Sequence, residues 1–468
     1  MVFSSLIFLY AFLPLCLAAY YMVPDLRWKN GVLIVFSLVF YAWGEPVWVL
    51  LLAASSVVDY LNGLFIARFR GRPAAKLGLA FSLVFNLGVL AVFKYSGLLT
   101  ASFNALTGLA LPVPAFHLPI GISFYTFQTI SYVIDVYRDE TPVQRSLPKF
   151  LMFVSLFHQL VAGPIVRYRD IAREIGERRF SWTDFSSGAG RFSIGLAKKV
   201  LLANACGEVV KAFLGGSTGT LSVAGSWWGI LFFGFQIYFE FSGYSYMAIG
   251  LGRMFGFHYR ENFDYPYTAL SATDFWRRWH MSLGSFFRDY VYIPLGGNRK
   301  RYVLNLLIVW FLTGLWHGAS WNFVIWGLFY GLLILMEHAL EKRVPFRLPK
   351  PLSRLYFIVI TLTGWTFFYF TEAAAGLAHL GRMFGLAGAP LSDTAWELSL
   401  RSQAFFLPVC ILACLPLWPA LKRRLTAVPA LSALWHAAAR PLATIGLMTV
   451  STILLVGKSY NPFLYFRF

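Results

Sequence analysis

Two histidines in apolar surroundings are the residues of this sequence best suited to carry chemistry. His317 lies in the stretch GLWHGASW (314–321), at the end of a 15-residue apolar arm, 302–316. Such an arm covers about 22 Å, less than the roughly 30 Å of a bilayer core, so a cytoplasmic start at Arg301 places His317 inside the membrane or near its far boundary. Desolvation keeps the ring neutral, which makes His317 a candidate general base. A structural histidine bonded to a backbone carbonyl is the alternative.

The second histidine stands in a basic and aromatic stretch. His280 belongs to FWRRWHMSL (275–283), 37 residues before His317. Arg277 and Arg278 are suited to the phosphates of an anionic donor, and the ring of Trp279 to stacking on a base or anchoring at the interface. An ordinary basic and aromatic belt at the membrane surface explains the same residues. The sequence leaves open whether the two histidines meet.

The composition identifies the kind of chain that must position these residues. Of the 468 residues, 58% are hydrophobic and 13% are charged, whereas soluble proteins carry about 25% charged residues. Two runs, of 28 and 35 residues, contain no Asp, Glu, Lys or Arg, and a membrane helix needs about 20 apolar residues. The sequence therefore predicts an all-α, polytopic membrane helical bundle of about eleven spans, forming one domain over 1–468.

The positive charges give the bundle an orientation. The net charge of +19 comes from short basic clusters between apolar runs, as the positive-inside rule requires, so we expect no nucleic-acid partner and a lipid bilayer instead. An uncleaved first span at 2–23 with a periplasmic N-terminus places the first three basic loops in the cytoplasm. Further predicted spans and membrane arms cover 31–50, 50–67, 77–93, 118–136, 190–214, 224–250, 302–316, 321–336, 355–371, 403–419 and 441–457.

Two segments depart from simple spans. The run 150–166 begins and ends at cytoplasmic basic residues, which indicates a re-entrant segment broken at Gly163-Pro164 and hence a cavity, although a short tilted span is the alternative. The stretch 260–301 mixes arginines with aromatic residues, which is typical of a segment lying at the cytoplasmic interface or dipping inward.

The remaining candidate residues carry weaker signals. The four cysteines show no paired CxxC pattern, so we expect packing residues and no metal site. His158 is placed to line the cavity of the re-entrant segment, and five further histidines are expected at the surface or the interface: His117, His258, His338, His379 and His436. Ser242 and Ser245 lie on an apolar helix, where serine more often serves helix packing than nucleophilic catalysis.

A set of ordered motifs resembles the bacterial membrane-bound O-acyltransferase family, in its alginate O-acetyltransferase-like branch. The motifs run over about 1–340, while 341–468 matches only loosely. They are LPIGISFY (118–125), ISY (130–132), DVYR (135–138), AGPI (162–165), FWRRWHMSL (275–283), RDY (288–290), LGGNR (295–299) and GLWHGA (314–319). Ser245 is followed by Tyr246, where the branch commonly carries Asp, which puts in doubt any acid, base or orienting role carried over to that position.

The resemblance implies a helical bundle around a central funnel, in the bacterial inner membrane, with the family's invariant histidine at His317 and its second histidine at His280. It implies transfer of an acetyl group from a cytoplasmic thioester, acetyl-CoA, toward hydroxyls of an exported polysaccharide of the alginate or cellulose type, with periplasmic transfer proteins as partners and no bound cofactor. In this scheme Arg277, Arg278, Trp279 and Trp316 hold the donor, and Trp316 or amides near Gly318 are candidate oxyanion donors.

Three other functions fit the residues. An aromatic, basic-lined cavity also suits a polysaccharide transporter or export channel, although the paired repeats that transporters often show are not found. A non-catalytic scaffold of an export complex would make both histidines replaceable. D-alanyl transfer to teichoic acid, from a carrier-protein thioester, is the neighbouring enzyme activity.

Overall fold

The protein is helical throughout the part of the chain that the structure, a computed structural model, describes: residues 1–161, 163–216, 218–343, 348–386 and 388–457. In these ranges every regular element is a helix. A helix satisfies its backbone groups within its own segment, which apolar sequence in a water-free setting requires. The predicted all-α class is confirmed.

The α-helices are numbered along the chain. The first twelve are α1 (Leu13–Met22), α2 (Leu26–Ala42), α3 (Trp48–Arg68), α4 (Pro73–Leu90), α5 (Ser96–Thr107), α6 (Ile122–Tyr137), α7 (Leu147–Ser155), α8 (Phe157–Leu160), α9 (Tyr168–Glu177), α10 (Trp182–Ala197), α11 (Asn204–Leu214) and α12 (Val223–Met254). The others are α13 (Ala272–Arg278), α14 (Met281–Phe287), α15 (Tyr302–His317), α16 (Trp321–Arg343), α17 (Lys350–Tyr369), α18 (Ala373–Met383), α19 (Thr394–Ser402), α20 (Phe406–Ala413), α21 (Leu417–Thr426), α22 (Pro429–Leu434) and α23 (Arg440–Leu455).

Short π-helical and 3-10 turns join some of these helices. The π-helical turns are Phe8–Phe12, Ala91–Tyr95, Lys198–Ala203, Arg288–Tyr292 and Trp435–Ala439, and the 3-10 turns are Thr218–Thr220 and Pro266–Thr268. Since the π-helical turns run directly into their neighbouring α-helices, several helices continue as one longer rod.

Several of these rods are long and apolar enough to cross a membrane. In the described ranges five meet that standard: Trp48–Arg68, Pro73–Thr107, Trp321–Arg343, Lys350–Tyr369 and Pro429–Leu455. Helices α20 and α21, bent by 66°, make a sixth if the pair is one broken span. The chain is thus a polytopic membrane protein, as the sequence predicts, and the total of about eleven spans stays a prediction.

The chain divides into two compact units, each built from separate stretches of sequence. Unit 1 contains Met1–Phe192, Tyr244–Arg260 and Leu455–Phe468, and unit 2 contains Ser193–Gly243 and Glu261–Leu454. The single domain of the sequence analysis stays a prediction.

The predicted re-entrant run lies in unit 1 and forms two short helices. Helix α7 has nine residues and α8 has four, so the longer one covers about 14 Å and neither crosses a bilayer core. The backbone leaves helical geometry at Leu156 (φ −44°, ψ 113°). A second departure from helical geometry follows at Gly163, whose φ is 113°. The backbone is therefore non-helical at the predicted break, Gly163-Pro164, and also at an earlier break that the sequence did not indicate.

Unit 2 is organised around a close contact between α15 and α16. A Cβ atom added to Gly314 would collide with the carbonyl oxygen of Phe323, and one added to Gly327 with the carbonyl oxygen of Trp310. Glycines let two membrane helices approach until their backbones touch. The interfacial stretch 260–301 also belongs to this unit, and it forms the short helices α13 and α14 instead of a span.

A buried ion pair also holds unit 2 together. Lys199 lies in the π-helical turn Lys198–Ala203, and its Nζ is 2.5 Å from Oε1 of Glu240 on α12. The two side chains are 6% and 2% exposed. Nearby, Gly243 approaches the backbone of α10, because its added Cβ would lie 2.8 Å from the carbonyl oxygen of Gly195.

Replacing one partner of this ion pair is expected to destabilise the protein strongly. Lys199→Met leaves the Glu240 carboxylate buried without its cation, which costs about 3–5 kcal/mol, whereas Lys199→Met/Glu240→Leu removes both charges and recovers most of that loss. Thermal unfolding of the purified protein in detergent measures both variants. A single variant as stable as the unsubstituted protein would contradict the assignment.

Candidate active site around two buried histidines

His280 occupies a strained position between α13 and α14. Its φ of 45° lies in the left-handed region, where a residue with a side chain costs about 1–2 kcal/mol, and its side chain is 1% exposed. Strain of this kind persists only where surrounding contacts impose it, and it is concentrated at functional sites. The backbone turn therefore aims the His280 ring in a direction that a regular helix would not.

Hydrogen bonds determine which nitrogen of His280 carries the proton. The Oδ1 of Asn262 accepts from the backbone N–H of Ser282 (3.2 Å) and from its hydroxyl (2.8 Å). Since a backbone N–H only donates, the Asn262 atom at this position must be oxygen. His280 Nδ1 lies 3.1 Å from the same oxygen and so donates to it.

The other ring nitrogen of His280 is consequently a proton acceptor. Helices α13 and α14 have seven residues each and are too short to span, and burial in this segment lowers the pKa of His280 to about 3, so the ring is neutral at pH 7. With Nδ1 protonated, Nε2 keeps its lone pair. Nε2 is buried, and no residue in the described ranges forms a hydrogen bond with it.

His317, the last residue of α15, lies in a cage of aromatic rings. Its side chain is 5% exposed, and its ring centroid is 4.9 Å from Trp326, 4.9 Å from Trp316 and 5.2 Å from Phe368. Helix α15 has 16 residues, about 24 Å, which is shorter than a bilayer core, and the depth of His317 in the membrane stays a prediction. The aromatic surroundings exclude water from the imidazole.

The ring of Trp316 joins the two histidines. Its centroid lies 5.7 Å from His280 on one side, besides its contact with neighbouring His317. Phe241 of α12 covers His280 with an edge-to-face contact at 4.7 Å. The structure thus brings both predicted histidines into one aromatic cluster of unit 2, a contact that the sequence left open.

The other predicted donor-binding residues occupy different environments. Arg277 is exposed, whereas the half-buried Arg278 donates from Nε to Asp274 (2.8 Å) and lies 3.7 Å from the carboxylate of Asp264. Trp279 is buried, with ring centroids 5.0 Å from both Phe263 and Trp365. Arg277 is the more accessible cation for an anionic ligand, since carboxylates already compensate Arg278.

Glu337 on α16 fixes the segment that carries these residues, and sequence reasoning did not single it out. Its carboxylate accepts from the backbone N–H of Ala272 (2.6 Å) and of Thr273 (2.9 Å), from the hydroxyl of Thr273 (2.6 Å) and from that of Tyr356 (3.1 Å). The first N–H groups of a helix lack intrahelical partners, so Glu337 caps α13. In the sequence, Glu337 is the acidic residue that ends a run of 35 residues without Asp, Glu, Lys or Arg, and this position could have drawn attention to it.

The same two helices meet again through rings. Trp276 of α13 has its centroid 5.3 Å from Trp326 and 4.9 Å from Tyr330, both on α16. Trp326 also contacts His317. Helix α16 therefore contacts His317 directly and fixes the helix that leads into His280.

Two further histidines are buried. His379 is 0% exposed and packs on Phe370 (5.0 Å), so its predicted surface or interface position is wrong: α18 buries one face. His158 of α8 is also 0% exposed, and its Nδ1 lies 2.6 Å from the hydroxyl of Tyr259. Within the described ranges no three His, Cys, Asp or Glu side chains are placed to hold a metal ion.

Tyr246, where the alginate O-acetyltransferase-like branch commonly has Asp, lies in unit 1. The guanidinium of Arg191 sits 4.4 Å from the centroid of the Tyr246 ring, a cation–π distance. A carboxylate at this position would offer Arg191 an ion pair instead. The ring of Tyr246 therefore gives Arg191 a cation–π contact where a carboxylate would give it an ion pair.

A multispan helical protein with two buried histidines and a neighbouring arginine defines a class of membrane protein whose site is suited to proton transfer. Comparison with known proteins narrows that class. The model of the membrane-bound O-acyltransferase family matches residues 138–377. The chain belongs to this family and is an acyltransferase, which confirms the resemblance drawn from its motifs.

The related proteins are named for different acceptor polymers. The chain is 38% identical to the probable alginate O-acetylase AlgI of Azotobacter vinelandii, over 100% of both chains. It is 33% identical to the peptidoglycan O-acetyltransferase of Helicobacter pylori, over 85% of this chain and 82% of the relative. Identity to the teichoic acid D-alanyltransferase of Bacillus subtilis is 28%, over 48% of this chain and 60% of the relative.

Removing the cap on α13 is expected to loosen the segment that precedes His280. Glu337→Ala leaves backbone donors of α13 without their acceptor, a loss of about 1–3 kcal/mol. Hydrogen exchange at Ala272 and Thr273 should accelerate roughly tenfold or more, since the local opening free energy falls by that amount.

The matched control is Glu341→Ala, an exposed acid one turn further along α16. It should leave exchange in α13 unchanged. Equal exchange in both variants would show that Glu337 does not position α13.

Proposed function

We propose that this chain transfers an acetyl group from a cytoplasmic thioester, acetyl-CoA, toward hydroxyls of an exported polysaccharide of the alginate type. The single observation that carries the proposal is the pair of buried histidines joined through Trp316 in a chain of the acyltransferase family. Full-length similarity to a protein named as an alginate O-acetylase supports the acceptor class.

His317 acts as the general base in the proposed reaction. As the acceptor hydroxyl oxygen attacks the thioester carbonyl, its proton passes to an imidazole nitrogen of His317. The tetrahedral intermediate then breaks its carbon–sulfur bond, and the thiolate leaves with a proton returned from the imidazolium. Exclusion of water by Trp326 and Phe368 protects the thioester from hydrolysis.

His280 supports this step from the other side of Trp316. Its unprotonated Nε2 is suited to accept a proton or to orient the hydroxyl or the donor, while Asn262 holds the tautomer through Nδ1. The indole N–H of Trp316 and amides near Gly318 are the proposed oxyanion donors. The exposed Arg277 is the proposed contact for the donor's phosphates, with Arg278 and Trp279 fixing the surrounding segment.

The proposed setting is the bacterial inner membrane, with a periplasmic N-terminus and periplasmic proteins that carry the acetyl group to the polymer. The basic loops support this orientation because Lys and Arg accumulate on the cytoplasmic side. D-alanyl transfer has weaker support, since similarity to that relative covers only 48% of this chain. The family assignment likewise argues against a transporter or a non-catalytic scaffold.

Loss of His317 is expected to abolish acetylation. Cells carrying His317→Ala should show polymer-bound acetate at the level of cells without the protein, because a general base contributes about 10²–10⁴-fold to rate. Polymer yield should be unchanged. Polymer-bound acetate is measured at matched membrane levels of the protein.

His436→Ala serves as the matched control, since His436 is exposed on a C-terminal helix turn. It should acetylate normally. Normal acetate with His317→Ala would refute the assignment, and normal acetate with lost polymer export would indicate a transporter.

Asn262 is expected to affect the rate of acetyl transfer because it fixes the tautomer of His280. Asn262→Leu removes the acceptor at Nδ1 and should lower the rate of acetyl transfer by roughly 10- to 100-fold, equivalent to about 1.4–2.8 kcal/mol. The effect should vanish in a His280→Ala background, because the two residues act as one unit.

Asn305→Ala is the control for loss of a buried asparagine. Asn305 bonds the carbonyl oxygens of Gly297 and Lys300, outside the histidine cluster. Additive losses for Asn262→Leu and His280→Ala would show that Asn262 does not act through His280.

A further inference from the structure

A basic cleft in unit 1 lies at the ends of several helices. Its charged and hydroxyl-bearing lining includes Tyr20, Tyr21, Lys29, Arg178, Arg179 and Arg253. These residues come from the end of α1, the start of α2, the end of α9 and the last turn of α12. None belongs to unit 2, which holds both histidines of the candidate active site.

The four cations of the cleft have no carboxylate partner. In the part of the chain that the structure describes, no Asp or Glu oxygen lies within the 4.0 Å of an ion pair with any of them. One acid, Asp184, also lines the cleft. Its carboxylate lies 3.4 Å from Nε2 of His258.

Arg178 is held in place entirely by uncharged oxygens. Its guanidinium donates to the hydroxyl of Tyr20 (3.2 Å), to the backbone carbonyl of Glu174 (3.0 Å) and to Oδ1 of Asn30 (2.5 Å). It also stacks at 4.3 Å over the ring of Phe257. These contacts fix its direction without neutralising its charge.

The other three cations are bound still more loosely. Lys29 contacts the rings of Tyr20 and Tyr21, with its Nζ 5.4 and 6.0 Å from their centroids. Arg253 donates from Nη1 to the hydroxyl of Ser187 (3.0 Å), while its buried Nε has no partner in the described ranges. Arg179 is exposed. The cleft therefore presents N–H donors as well as charge.

Helix dipoles do not account for so much positive charge. The C-terminal ends of α1, α9 and α12 carry about −0.5 charge each, so that with Asp184 they supply about −2.5 against +4. The hydroxyls of Tyr20 and Tyr21 already donate to the carbonyls of Phe255 and Met254 at the end of α12. A surplus of positive charge remains in a half-enclosed space.

We propose that this cleft binds a phosphate ester. Arginine forks and a lysine ammonium are the groups that hold phosphate oxygens in proteins. Basic pockets between membrane helices bind anionic lipid headgroups. The two sources of such a group are an anionic phospholipid, whose binding is independent of the proposed reaction, and a soluble phosphate-bearing thioester, whose binding here rests on the proposed function.

The test measures ligand retention, not activity. The full chain, purified in detergent, is mixed with phosphatidylglycerol or with zwitterionic phosphatidylcholine, and bound lipid is counted by native mass spectrometry. Acetyl-CoA is added alone and as a competitor of the lipid. Its binding shows whether the cleft holds the soluble thioester. Lys29→Gln/Arg179→Gln removes two cleft cations that donate no hydrogen bond to the fold, so folding should be preserved.

The matched control is Arg27→Gln/Arg72→Gln. Both residues are exposed and lie outside the cleft, Arg27 in the first turn of α2 and Arg72 directly before α4, and the pair makes the same charge change. The cleft variant should bind phosphatidylglycerol roughly 10- to 30-fold more weakly, at about 1 kcal/mol per cation, while the control binds it normally. Selective loss of acetyl-CoA instead would support the site with a soluble ligand. Equal loss in both variants, or no loss of either ligand, would overturn the proposal.

Discussion

The close approach of α15 and α16 is the contact on which the candidate active site depends. Gly314 and Gly327 each face a backbone carbonyl of the opposite helix, and side chains at these positions would force the helices apart. Because the backbones touch, the ring of Trp326 reaches His317 at the end of α15. The same helix then offers Tyr330 and Glu337 to α13. One glycine-mediated crossing therefore sets the positions of both histidine-bearing segments.

The second histidine adds strain to this arrangement. The left-handed backbone at His280 is unfavourable by itself, and the surrounding contacts offset it: Ser282 and His280 both donate to Asn262, and Glu337 caps the preceding helix. These bonds lie on the side of the ring that carries Nδ1. The opposite side, with Nε2, is left for chemistry. The contacts that stabilise the left-handed turn at His280 therefore also define Nε2 as its proton-accepting atom.

The two units satisfy their buried charged side chains in different ways. In unit 2, the buried Lys199 and Glu240 compensate one another. In unit 1, buried Asp59 on α3 accepts from Ser82 (2.5 Å) and Asn86 (2.8 Å) on α4, so its oxygens are satisfied within the bundle. The cations of the basic cleft stand apart, because uncharged oxygens orient them and leave their charge available. Positive charge that is oriented but not compensated is what a site for an anionic headgroup requires.

The sequence by itself determined the helical class, the membrane character and the family, and it predicted His280 and His317 as site residues, because apolar run length, charge clustering and motif order are local properties of the chain. It also indicated that 150–166 does not form a simple span and that its helix is broken at Gly163-Pro164, but it did not indicate the earlier break at Leu156. Only the tertiary structure decided that Trp316 joins the two histidines, that Asn262 sets the His280 tautomer and that Glu337 caps α13. It also showed that His379 is buried. These outcomes depend on contacts between residues up to 65 positions apart, and no local pattern records which distant side chains meet when helices pack.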